Sequence, residues 1–242
     1  MRKFRKSKTQ RNLVNPGVDR ITKSTNVRVL YIVVLVGIIL YLILDAVAQL
    51  LPPHYSPISQ AESDLAVGPF GLIMTINFIN RGIFSLVFLF SFAATIRLTG
   101  EKVAQYRGGL YLFSAWSIGA LLLAFFPTDV PATPISWHGV IHLAVAIVAF
   151  ITGAFGALLL SIRMSENKTL RNVRRFALPI GILAVVFCLI EFLTTFFAPH
   201  LTSKFGGLFE RLFLGTMLAW IGIVAAYSVN HKEMPIDPSV LK

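Results

Sequence analysis

The chain has 242 residues, of which 55% are hydrophobic and 14% charged. A soluble domain carries roughly 25% charged residues, so the composition excludes an ordinary water-soluble domain and points to lipid as solvent. The formal charge of +11 is concentrated in one terminal run and two short loops. It therefore reads as membrane topology and attraction to lipid headgroups, with no nucleic-acid binding expected. A single cysteine, Cys188, excludes an internal disulfide and a cysteine-built metal cage.

In chain order, residues 1–27 form a basic arm with Arg2, Lys3, Arg5, Lys6, Lys8, Arg11, Arg20 and Lys23. It is expected to be cytoplasmic and mostly disordered. Six apolar segments follow at 28–51, 70–97, 109–127, 137–163, 175–198 and 206–229. The first has about the ~20 residues needed to span a bilayer and lacks a small-x-small cleavage site, so no cleavable signal peptide is expected. A short polar tail, 230–242, ends the chain. The expected fold is all-α, a polytopic bundle of six transmembrane helices spanning residues 28–229 as one domain.

The loops alternate in charge. Loops 52–69 and 128–136 contain no Lys or Arg, whereas 98–108 carries Lys102 and Arg107 and 164–174 carries Lys168, Arg171 and Arg174. The positive-inside rule then places both termini in the cytoplasm of a multi-pass cell-membrane protein. Counting ~1.5 Å per residue from the basic ends puts the ionisable residues of the spans at the opposite, outer end. Asp45, Asn77, Arg81, His138, His142, Glu191, Glu210 and Arg211 all fall there, with Asp64 and Asp129 in the adjoining loops. Charge inside a membrane is costly, so this layer is read as a functional site. The inner halves of the spans are almost wholly Leu, Ile, Val, Phe and Ala.

Three groups in this layer have chemistry to offer. His138 and His142 stand at i and i+4 on one helix face, suited to a divalent metal such as zinc if His54, His200 or a carboxylate supplies a third ligand. Interfacial anchoring of His138 and helix packing of His142 explain the same spacing without a metal. Ser63 and Asp64 in the polar first loop suit water activation alongside Asp129; capping of a short helix is the structural alternative. Arg81 and Arg211 face either an anionic lipid group or the carboxylates of Glu191 and Glu210. Asn77 lines the same layer or packs helices.

The stretch from Pro57-Ile58-Ser59 through Ser63-Asp64-Leu65-Ala66-Val67-Gly68-Pro69, then Asn77, then Phe126-Pro127-Thr128-Asp129 and His138-Gly139, resembles the domain-of-unknown-function 998 family of six-span bacterial and archaeal membrane proteins. The resemblance covers about residues 30–228. It implies the fold without naming a reaction. Looser similarity extends to six-span autophagy-modulator and glycolipid-anchor-remodelling proteins. It also extends to seven-span zinc hydrolases that use a Ser, an Asp and three His. Such a resemblance implies His138, His142 and one of His54 or His200 as ligands, with Asp64 or Asp129 assisting.

The expectations for function are, first, a pocket that binds membrane lipid headgroups from the outside. A metal-dependent lipid hydrolase is the alternative, and a b-type haem protein pairing His142 with His54 or His200 is a further one.

Overall fold

The computed structural model describes residues 16–129 and 133–230, and within them the chain forms six α-helices, three short 3-10 turns and no strand. The helices are α1 (Pro16–Leu50), α2 (Gly71–Leu98), α3 (Arg107–Leu123), α4 (Trp137–Arg163), α5 (Arg174–Phe197) and α6 (Pro199–Asn230). Five of them, all but α3, are long and apolar enough to cross a membrane, which makes this a multi-pass membrane protein. With 17 residues, α3 rises about 26 Å at ~1.5 Å per residue, at the short end of the spanning range.

The helix boundaries follow local chemistry. Gly68, at φ 111°, makes the turn that leads through Pro69 into α2, a conformation only glycine takes without penalty. Ser136 caps α4 by accepting from the Gly139 amide at 3.1 Å. Pro127 leaves no room for α3 to continue, and that helix ends at Leu123, earlier than the apolar run suggested. Two helix starts also shift. α1 begins at Pro16, upstream of the expected start at 28, and α6 begins at Pro199 instead of 206. Residues 1–15 of the basic arm and 231–242 of the tail lie outside the described residues.

Each helix packs on the next in sequence, and α1 closes against α6. Arg97, Arg163 and Arg174 mark one end of the bundle, at the ends of α2 and α4 and the start of α5. The core near that end is aromatic: Phe88 meets Phe113 at 5.5 Å and Trp220 at 5.4 Å between ring centroids. Such pairs add to the burial of their large apolar surfaces. The indole of Trp220 also donates to Ser161 Oγ at 2.8 Å, uniting α6 with α4.

The α3–α4 seam is tight because its residues are small. A Cβ on Gly156 would stand 2.9 Å from the Phe113 amide nitrogen, and one on Gly109 2.8 Å from Leu160. With no hydrophobic effect between helices in lipid, close backbone approach is what such seams depend on.

Candidate functional site

At the end away from the arginines, the loop between α1 and α2 folds down into the bundle. Its 3-10 turn, Glu62–Ala66, has no side-chain cap, so Ser63 does not serve as the helix cap the sequence allowed. Other contacts hold the loop. Gly207 of α6 meets the Gln60 carbonyl where a Cβ would collide with it, and the Leu208 amide donates to Ile58 O at 2.9 Å. Arg211 donates to the Tyr55 hydroxyl at 2.6 Å and to the carbonyls of Pro57 and Gln60 at 3.2 and 3.3 Å. Its guanidinium also lies 5.2 Å from the Tyr55 ring centroid. Arg211 is thus a loop anchor.

The docked loop carries Glu62 to 2% exposure. The Tyr41 hydroxyl donates to its carboxyl group, and its own amide donates to Glu210 Oε2 at 2.7 Å. Burial, reinforced by the neighbouring Asp45 carboxylate and opposed by Arg81, pushes the Glu62 carboxyl up to about 8. Glu62 is therefore protonated at neutral pH and bonds as a neutral acid. Asp45 adds Gln49 at 2.6 Å and a longer contact of 3.9 Å to Arg211.

Beside this cluster lies a cavity of about 440 Å³. It is walled by the outer parts of α4 and α5 and floored by side chains from α2, α3 and α6. Seven of the residues expected in the polar layer line it: Arg81, His142, Glu191, Glu210, Ser63, Asp64 and Asp129. Most of the remaining wall is apolar, including Phe78, Phe150 and Phe192. Val140, Leu143 and Phe196, half or more exposed, stand at its rim between α4 and α5, where a membrane would present acyl chains.

Arg81 is the unusual member. It is 2% exposed, yet its Nε has no hydrogen-bond partner, and no carboxylate among the described residues closes an ion pair with it. Its guanidinium is ringed by Trp116, Phe78 and Tyr41 at 5.1, 5.2 and 6.0 Å from the ring centroids. Each such contact returns about 0.5–2 kcal/mol, whereas a buried charge stripped of its partner costs about 3–5 kcal/mol. Glu62 and Glu210 act on it only at longer range. The aromatic ring offsets part of the cost and leaves the buried Nε–H without an acceptor among the described residues. Across the cavity, Glu191 Oε2 is also buried without a partner.

His142 donates from Nδ1 to the Phe126 carbonyl at 2.7 Å. A carbonyl only accepts, so the proton is on Nδ1 and Nε2 is the second ring nitrogen left for a ligand. Asp129, one of the expected catalytic groups, lines the cavity and is bonded to the start of α4. Its carboxylate accepts from the Ser136 hydroxyl at 2.5 Å and the Ser136 amide at 3.0 Å, and these bonds hold it below the usual carboxylate range. It organises the α4 cap. Asp64 is pushed up by burial, against the pull of the Ala61 backbone and Arg211, and borders a second cavity of about 220 Å³ beside the loop.

The remaining candidates lie apart. His138 stacks on Trp137 with ring centroids 3.5 Å apart. His54 is exposed and lines the second cavity, and His200 is exposed in the first turn of α6. Among the described residues no group of three or more His, Cys, Asp or Glu side chains is placed to hold a metal ion. The expected joining of His138 and His142 by a third ligand from His54, His200 or a carboxylate is therefore not formed among the described residues. Asn77 is fully buried and donates to the Tyr41 carbonyl at 3.1 Å, a helix-packing role. Glu62, Tyr41 and Tyr55 were not among the sequence candidates. The two tyrosines read as ordinary apolar or loop positions, and an acid in a polar loop carries no signal that the loop is swallowed by the bundle.

No curated protein and no solved structure matches the chain. The model of the family described as protein of unknown function (DUF998) matches residues 35–227, most of the chain and all six helices at least in part, and the protein belongs to that family.

Proposed function

We propose that this is a six-span membrane protein with both termini in the cytoplasm, and that its outward-facing cavity binds the headgroup of a membrane amphiphile. The observation that carries the reading is Arg81: a buried guanidinium whose Nε has no acceptor among the described residues, lining a cavity whose rim is apolar and set between two helices. A phosphate or similar oxyanion supplies the missing acceptors in bidentate geometry. The apolar wall accommodates the attached chain, and the gap between α4 and α5 gives lateral access from lipid. The orientation follows from the basic end of the bundle, which the positive-inside rule places in the cytoplasm. The α3 segment completes the sixth crossing, shortened by its Gly-rich packing on α4.

Native mass spectrometry of the protein released from detergent tests this reading. Wild-type protein is expected to retain about one phospholipid. Leu143→Trp, which blocks the rim from an exposed position, and Arg81→Gln, which removes the charge, are each expected to abolish retention. Equal retention by all three proteins would refute it.

A further inference from the structure

The charges around the cavity say more about its occupant than that it bears an anion. Four carboxyl groups (Asp64, Asp129, Glu191 and Glu210) line the cavity against one guanidinium, that of Arg81. A headgroup carrying only negative charge gains one favourable partner and faces several unfavourable ones. Like-charge juxtaposition of this kind is how sites reject the wrong ligand.

The carboxyl groups are not equivalent. Glu210 already accepts from the Glu62 amide, and Asp129 is occupied by Ser136. Glu191, on α5, has a buried oxygen with no partner, as Arg81 on α2 has a buried nitrogen with none. These two do not close an ion pair with each other, although both line the same cavity. Among the described residues lining this cavity, one buried cationic nitrogen, Arg81 Nε, and one buried carboxylate oxygen, Glu191 Oε2, are thus left without a partner.

We infer that the cavity selects a zwitterionic amine–phosphate headgroup of the phosphoethanolamine class, with Arg81 on the phosphate and Glu191 on the ammonium. A primary ammonium offers three N–H donors to Glu191. A quaternary trimethylammonium offers none, so a choline headgroup leaves the carboxylate unsatisfied. A glycerol headgroup supplies no positive charge. This rests on the lipid-binding reading above and deepens it.

The test uses the full chain in nanodiscs containing phosphatidylethanolamine, phosphatidylcholine and phosphatidylglycerol in equal amounts, followed by native mass spectrometry of the retained lipid. The expected result is at least a tenfold preference for phosphatidylethanolamine over each of the others. Glu191→Gln is expected to keep one lipid bound and to lose that preference, with phosphatidylglycerol gaining most. Lipid retained by the wild type without headgroup preference would overturn the zwitterion inference while leaving the lipid-binding reading intact. So would a preference unchanged in Glu191→Gln. No retained lipid in any mixture would overturn both. A parallel titration with soluble glycerophosphoethanolamine separates the sources: saturable binding of it by lipid-free protein, with no lipid retained from nanodiscs, would assign the site to a free headgroup and overturn the lipid assignment.

Discussion

The two ends of this bundle treat polar groups in opposite ways. At the arginine end, several buried hydroxyls and amides find partners, although Thr169 Oγ1 and Arg174 Nε do not. Tyr31 meets Thr95 at 3.0 Å, Asn167 reaches Thr99 at 2.7 Å and accepts from two backbone amides, and Tyr106 bonds Glu101 at 2.9 Å. At the other end, buried atoms of Asp45, Glu62, Asn77, Arg81, His138, Glu191 and Arg211 go without. Buried polar atoms are almost always satisfied in folded proteins, so the contrast sets a mostly satisfied, packed half against one in which more of the buried polar atoms lack partners.

The largest effect is expected in the packed half. Trp220→Ala removes a fully buried ring and the bond to Ser161, and should cost about 3–5 kcal/mol, read as a fall in thermal unfolding temperature in detergent. A loss under about 1 kcal/mol would break the distinction. Next, Arg211→Ala removes a charged donor from three carbonyls and the Tyr55 hydroxyl. Hydrogen bonds from charged groups contribute about 1.5–3 kcal/mol. Hydrogen exchange should rise selectively across residues 55–66, with the helices near Trp220 unchanged; uniform exchange would count against the loop as a separately anchored unit.

A pH titration sharpens the comparison further. The Glu62 carboxyl is raised by burial to about 8, above its ordinary value, so the folded state holds its proton more tightly than the unfolded one. That contribution is fully present below the ordinary carboxylate range and is lost as pH rises toward 8. Wild-type stability should therefore decline between about pH 5 and pH 8, and Glu62→Gln should flatten the slope; an unchanged slope would remove Glu62 as its source. The smallest effect belongs to the exposed Arg163–Glu166 pair, 2.7 Å apart. Glu166→Ala should change stability by no more than about 0.5 kcal/mol, as isolated surface pairs do.

Much of this contrast was legible in the residue order. Hydropathy located all six helices, and α4 occupies the expected 137–163 segment. Depth counted from the basic loops gathered Arg81, His142, Glu191 and Glu210, and all four line one cavity. Counting failed where position along a helix does not determine environment. Glu210 and Arg211 lie three turns inside α6, not at its start, because residues 199–205 continue the helix outward past the docked loop. The burial of Glu62 depends on Gly207 letting a distant loop touch the α6 backbone, a long-range contact with no local signature. The i, i+4 spacing of His138 and His142 was real but insufficient: the two rings share a helix face, and their partners are Trp137 and the Phe126 carbonyl.

The most direct measurement is a high-resolution structure of the protein in a lipid nanodisc, viewed at Arg81. The account predicts phosphate density in the cavity with two oxygens about 3 Å from the guanidinium and acyl density leaving between α4 and α5. A cavity holding only water, with Arg81 solvated and no lipid between α4 and α5, would contradict it.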